Sequence, residues 1–166
     1  MSSSSVRYMS APNSLRAKAV PDDEPAAGLD PTRVAAAETV LAARAGHYPD
    51  TALADVDMLA SDLSRARNKV TERVRALRSI AATAHSMRCH GSTYGYPLVT
   101  KIALSLYDYS GKAAGTDEQL EVIEAHVEAL RAILVERLTE DGGPVGQEVV
   151  HSLRQVVEGV PAERRK

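Results

Sequence analysis

Leu120, Ile123, Val127, Leu130, Leu134 and Leu138 fall three or four residues apart. That spacing lines one face of an α-helix and cannot line one face of a strand. Thr116 or Asp117 can cap the start, and Asp141-Gly142-Gly143 marks a turn beyond the end. The same period recurs along the chain. Leu98, Ile102, Leu106 and Tyr109 form a stripe opened by Pro97 and stopped at Gly111. Val145, Val149, Leu153 and Val156 form another after Pro144. Leu53, Val56, Ala60 and Leu63 follow a cap at Asp50 and run towards Arg67 or Asn68. A longer helix, Lys69 to Tyr94, turns Val70, Val74, Leu77, Ala81, Ala84, Met87, Gly91 and Tyr94 inward. Upstream, Asp30-Pro31 opens an Ala-rich helix carrying Val34, Leu41 and Ala45, ended by Gly46. No strand pair is visible. The pattern predicts an all-α fold with six helices: an antiparallel up-and-down four-helix bundle with additional N- and C-terminal helices.

The 166 residues suffice for one domain with a sizeable core. Aromatics are only 4% of them, with no Phe and no Trp, so Ala, Val, Leu and Ile must fill that core. Residues 1–29 are rich in Ser, Pro, Ala and charge, and a disordered tail is expected there. The bundle domain is expected over residues 30–160. A net charge of -2 and the absence of a basic stripe point away from nucleic acid. A single cysteine excludes an internal disulfide framework. No apolar run approaches the ~20 residues of a membrane span. The N-terminus shows no apolar signal core, so a cytoplasmic protein is expected.

One segment stands apart, Ala84 to Leu98. It sets His85 in a helical pattern, with Arg88 one turn later, followed by Cys89, Gly91, Ser92, Thr93 and Gly95. At 100° per residue His85 falls on the flank of the inward face, not in its centre. A neutral imidazole is a good nucleophile toward an acyl phosphate. A guanidinium at i+3 lies on the adjacent surface and can stabilise charge on a transferring phosphoryl group. Small residues around the pair let a partner approach closely.

Plainer readings fit the same residues. A lone histidine on a helix flank is often only a surface residue. His85 and Cys89 stand at i and i+4 with His90 adjacent, but zinc needs three or four ligands, and no CxxC or HExxH is present. His126 repeats an Ala-His pair with Ala129 at the cation position, so a structural role is expected. Tyr94, Tyr96, Tyr107 and Tyr109 read as core filling in a chain without Phe, with Tyr96 a further candidate for the rim of a docking face. No GxxxxGK[ST] loop or kinase signature occurs, so autokinase activity is not expected.

Ala84-His85-Ser86-Met87-Arg88 resembles the start of the active helix of histidine phosphotransfer (HPt) domains, A-H-x-[LM]-[KR]. The continuation STYGYPLVTKIALSLYDY, and later EAHVEALRAIL and DGGPVGQEVVHSL, extend the resemblance over about residues 50–158. Cys89 departs from the pattern, which usually has Gly there. The resemblance implies that His85 is a phosphoacceptor and Arg88 the cation that stabilises the phosphate. It implies two partners, receiver domains of a hybrid histidine kinase and of a response regulator. Mg²⁺ would sit on the receiver, and this chain would hold no metal or cofactor. The docking surface expected on a monomer is Arg78, Ala82, Arg88, Cys89 and Ser92 with the facing helix near Leu53 to Leu63. Such transient interfaces stay below about 1,200 Å². The rival reading is a non-catalytic adaptor that binds or sequesters a receiver. A dimeric bundle akin to a kinase dimerisation domain is disfavoured by the six-helix pattern.

Overall fold

The computed structural model describes residues 30–162, and the tail expected over 1–29 lies outside them. Among the described residues all regular structure is helical. The helices are α1 (Pro31–Asn68), α2 (Arg73–His90), α3 (Pro97–Ser110), α4 (Asp117–Val135) and α5 (Gly143–Gly159), with 3₁₀ turns at Val70–Glu72 and Ser92–Tyr94. A boundary between two compact units falls inside α1, after Thr39. The described residues of the first unit are the opening turns of α1, where Thr32 N donates to Asp30 Oδ1 at 3.0 Å. The second unit, from Val40 onward, holds the core and every residue considered below.

Five α-helices replace the six expected, because the first two are one. α1 runs straight through Gly46 and Pro49. An internal glycine costs only about 1 kcal/mol against alanine, which packing elsewhere overcomes. The proline is the harder case, since it removes one backbone donor and crowds the preceding turn. Both Tyr48 and Pro49 are buried. The Tyr48 ring stacks on Tyr94 at 5.0 Å and lies 5.5 Å from Tyr96. Packing therefore holds the helix together where local propensity would end it.

The long helix expected from Lys69 to Tyr94 is shorter at both ends. It starts at Arg73, after the 3₁₀ turn, and this shifts its phase. Val70 and Val74 are 72% and 45% exposed instead of inward. The buried stripe is Ala76, Leu77, Ile80, Ala84 and Met87. Gly91 closes the helix, its N–H donating to Met87 O at 3.1 Å. A Cβ there would lie 2.7 Å from Thr100 Oγ1 and 2.8 Å from Tyr96 O, so only glycine fits. α3 begins at Pro97 and ends at Ser110, as its stripe predicts.

α4 opens on a capping box: Gln119 N donates to Thr116 Oγ1, and Thr116 N donates to Gln119 Oε1. Its stripe is buried from Leu120 to Leu134, while Leu138 lies beyond the helix end and is half-buried. Each such aliphatic side chain contributes roughly 1.5–3 kcal/mol by leaving water. In α5 the expected inward face holds at Val149 and Leu153 and fails at Val145 and Val156. Gly146 packs under the Leu98 side chain, which places Leu153 in the core and leaves Val145 and Val156 62% and 41% exposed.

Pairings between helices give their directions. Arg67, Asp57 and Asp50 pair with Glu124, Arg131 and Arg137 at 2.8, 3.0 and 3.3 Å. Numbers fall along one partner as they rise along the other, so α1 and α4 run in opposite directions. Ser92 and His85 meet Thr100 and Tyr107, so α2 and α3 are antiparallel too. α5 runs with α3: Gly146 sits at Leu98, and Tyr109 Oη donates to Val160 O at 2.8 Å. Among the described residues no helix is long and apolar enough to cross a membrane.

Candidate functional site

α2 presents two flanks. Its core face, from Ala76 to Met87, is covered by neighbouring helices. His85 stands on the flank beside α3, exposed to solvent. Its imidazole meets the ring of Tyr107 at 5.4 Å between centroids, the planes inclined by 61°. The Arg88 guanidinium carbon lies 4.9 Å over the centroid of that same ring. Arg88 and Tyr107 are half-buried. A cation over the electron-rich face of a tyrosine is attracted to it, by about 0.5–1 kcal/mol at exposed sites. One aromatic ring on α3 thus gathers the histidine and the arginine from successive turns of α2.

Arg78, Ala82 and Cys89 lie on the exposed side of α2. Their spacings of seven, three and four residues from His85 put them on its face. Ser92 sits just past the helix end, where its N–H and hydroxyl both donate to Thr100 Oγ1, at 2.8 and 2.9 Å. That exposed serine is anchored by α3. In the α1 segment expected to share this surface, the apolar stripe turns inward. Val56, Leu59 and Leu63 are buried in the core, and Leu53 is half-buried against it. The helix beside His85 is α3, which contributes Tyr107 and the exposed Leu104.

His90 points to the other flank of α2. Its ring lies 6.4 Å from Tyr94, and its charge acts on Asp55 of α1. Burial pushes the Asp55 carboxyl above the usual carboxylate range, and His90 partly opposes it. His85 and His90 therefore diverge onto opposite flanks of α2. No group of three or more His, Cys, Asp or Glu side chains converges among the described residues.

His126 is fully buried on α4. Its Nδ1 lies 2.7 Å from Val122 O and its Nε2 2.9 Å from Ser105 Oγ. The carbonyl can only accept, so Nδ1 carries the proton and Nε2 accepts from the serine. Burial holds its pKa below the ordinary histidine value, against the opposing Val122 hydrogen bond. His126 is structural, as its sequence context predicts.

The described tyrosines divide among three places. Tyr94 stacks on Tyr48 with Tyr96 tilted beside it, Tyr109 lies beside His126, and Tyr107 supports His85. Tyr96 is buried and forms no rim. Tyr107 is the site residue that sequence reasoning misses. Its one signal is its place on α3, one residue beyond the Leu98–Ile102–Leu106 stripe and so on that helix's flank.

No family model, curated protein or solved structure matches the chain.

Proposed function

We propose that the chain is a histidine phosphotransfer protein. It accepts a phosphoryl group on His85 from a receiver-domain aspartate of a hybrid histidine kinase and passes it to the receiver of a response regulator. The observation that carries this reading is the exposed His85 imidazole and the Arg88 guanidinium meeting on one tyrosine ring, on packed helices. The fold that goes with it is an antiparallel up-and-down four-helix bundle of α1, α2, α3 and α4, with α5 laid on its outside. Opposed directions in α1 and α4, and in α2 and α3, support that arrangement.

The chemistry asks little of this chain beyond placement. The unprotonated nitrogen of a neutral imidazole gives its lone pair to phosphorus. The bond from phosphorus to the aspartyl oxygen breaks, and its electron pair leaves with the partner's carboxylate. The imidazole proton stays on the other ring nitrogen. Arg88 offsets negative charge on the phosphoryl oxygens, and its planar fork suits them. Phosphoryl transfer through a loose transition state is mostly positioning and charge compensation. The receiver supplies the aspartate and the Mg²⁺. The protein acts as a cytoplasmic monomer, and its docking face comprises Arg78, Ala82, Cys89, Ser92 and the α3 flank at Leu104 and Tyr107.

Cys89 favours a second reading, a non-catalytic adaptor. Its side chain stands on the exposed face one turn after His85, where a partner's loops would come closest. Mixing the protein with a phosphorylated receiver and Mg²⁺, followed by intact mass, separates the two. Transfer adds one phosphoryl group to the wild type and none to His85→Gln. Binding of receivers without any added mass establishes the adaptor and ends the transfer reading.

A further inference from the structure

We infer that Tyr107 is the positioning residue of the site, the group that fixes His85 and Arg88 relative to one another. The inference rests on the transfer reading of His85 given above. An exposed histidine on a helix flank has several staggered rotamers open to it, and a long arginine has many more. Two such side chains one turn apart do not by themselves converge. Here both are drawn to one ring on another helix. Its face carries the Arg88 guanidinium at 4.9 Å, and the His85 ring meets it steeply at 5.4 Å. An aromatic ring offers two kinds of contact, a negative face for cations and a positive edge for other rings. Tyr107 thus holds two unlike groups at once, which an aliphatic side chain cannot do.

Its own placement is secure. Tyr107 follows Leu106 and precedes Tyr109, both buried, on a helix opened by Pro97. It is half-buried, so its ring has limited freedom, while His85 remains exposed to a partner. A phosphoryl group arriving on His85 would find Arg88 already ordered beside it. Ordering the cation in advance removes that entropic cost from the transfer step. Both contacts are made by the ring, so phenylalanine should serve as well as tyrosine.

The test has two arms, on wild type, Tyr107→Phe and Tyr107→Leu, each first checked for helicity. Tyr107→Met replaces the leucine variant if that one loses its fold. In the first arm, NMR follows the imidazole C–H resonances of His85 in the absence of any partner. Wild type and Tyr107→Phe should show them displaced by the ring current, and Tyr107→Leu should return them to unstructured values. In the second arm, Tyr107→Leu should slow phosphoryl acceptance from a phosphorylated receiver by about tenfold. The rate of Tyr107→Phe, which keeps the ring, should stay within about twofold of wild type. Unchanged His85 resonances in Tyr107→Leu overturn the positioning role, as does a leucine variant that transfers at the wild-type rate. A phenylalanine variant as slow as leucine assigns the role to the hydroxyl and overturns the ring account. A wild type that takes no phosphate fails the transfer reading instead. The NMR arm then decides alone whether Tyr107 orders His85.

Discussion

Tyr48 and His126 show how differently two buried polar side chains can be accommodated. Both His126 ring nitrogens are satisfied, by Val122 O and Ser105 Oγ. The Tyr48 hydroxyl is buried with no hydrogen-bond partner among the described residues. Burial, with the Asp55 charge second, drives its pKa strongly upward. An unpaired buried hydroxyl costs roughly 1–3 kcal/mol. Tyr48→Phe keeps the stack on Tyr94 and removes that cost, so it should raise stability by about 1 kcal/mol in a denaturant titration. A loss of that size would mean that the hydroxyl is bonded after all. For His126 the sign runs the other way from a salt-bridged histidine. Its folded pKa lies below the ordinary value of 6.5, so the unfolded chain binds the proton more readily. The stability it contributes is present above pH 6.5 and is lost as pH falls from there towards its lower folded pKa. His126→Gln should therefore flatten the decline in stability between about pH 7 and 5. An equally steep decline in the variant would place the proton uptake elsewhere. The His85–Arg88 spacing was legible in the sequence because it lies within one helix. Tyr107 comes from another helix, and no local pattern could bring it to them.

Local signals set the helix boundaries only where packing did not oppose them. Thr116 with Gln119, Pro97, and Gly111 mark ends that the structure keeps, because each satisfies or terminates its own backbone. Gly46 marks an end and Asp50 a start that it does not keep. Tyr48, stacked on Tyr94 and packed against Tyr96, carries the helix through both. The inward faces of α2 and α5 depart from the apolar spacing at Val70, Val74, Val145 and Val156 for a related reason. A 3₁₀ turn before α2 and the contact of Gly146 with Leu98 reset the helix phase, and neither is visible in apolar spacing. Gly91 is the most constrained joint. It ends α2, accepts from Tyr96 N at 2.8 Å, and leaves no room for a Cβ beside Thr100. Gly91→Ala should cost about 1–3 kcal/mol, since backbone atoms of the Tyr96–Thr100 turn would have to move. A thermal melt within a degree or two of wild type would show that this turn yields freely.

Helix directions follow from a few pairs of charges, but stability does not depend on them. Arg67–Glu124, Asp57–Arg131 and Asp50–Arg137 are largely exposed, and such pairs contribute little each. They set register between α1 and the α4 end of the fold, while Val56, Leu59, Leu120, Ile123 and Leu130 supply the buried area. The all-helical class was legible because stripes of period 3.6 fill the chain. The number of helices was not, because one packing cluster at Tyr48 joins two of them. With the core built this way, α2 is fixed along its buried side, and His85 is left exposed on the flank that α3 shares. The proposed role of His85 is tested most directly by locating the phosphate. The protein, loaded from a phosphorylated receiver, is digested and fragmented at alkaline pH, and a second portion is treated with acid. Phosphotransfer predicts one phosphoryl group on His85, stable in base and lost in acid, and none in His85→Gln. Phosphate on His90 or on another residue, or none at all from receivers that bind, would contradict it.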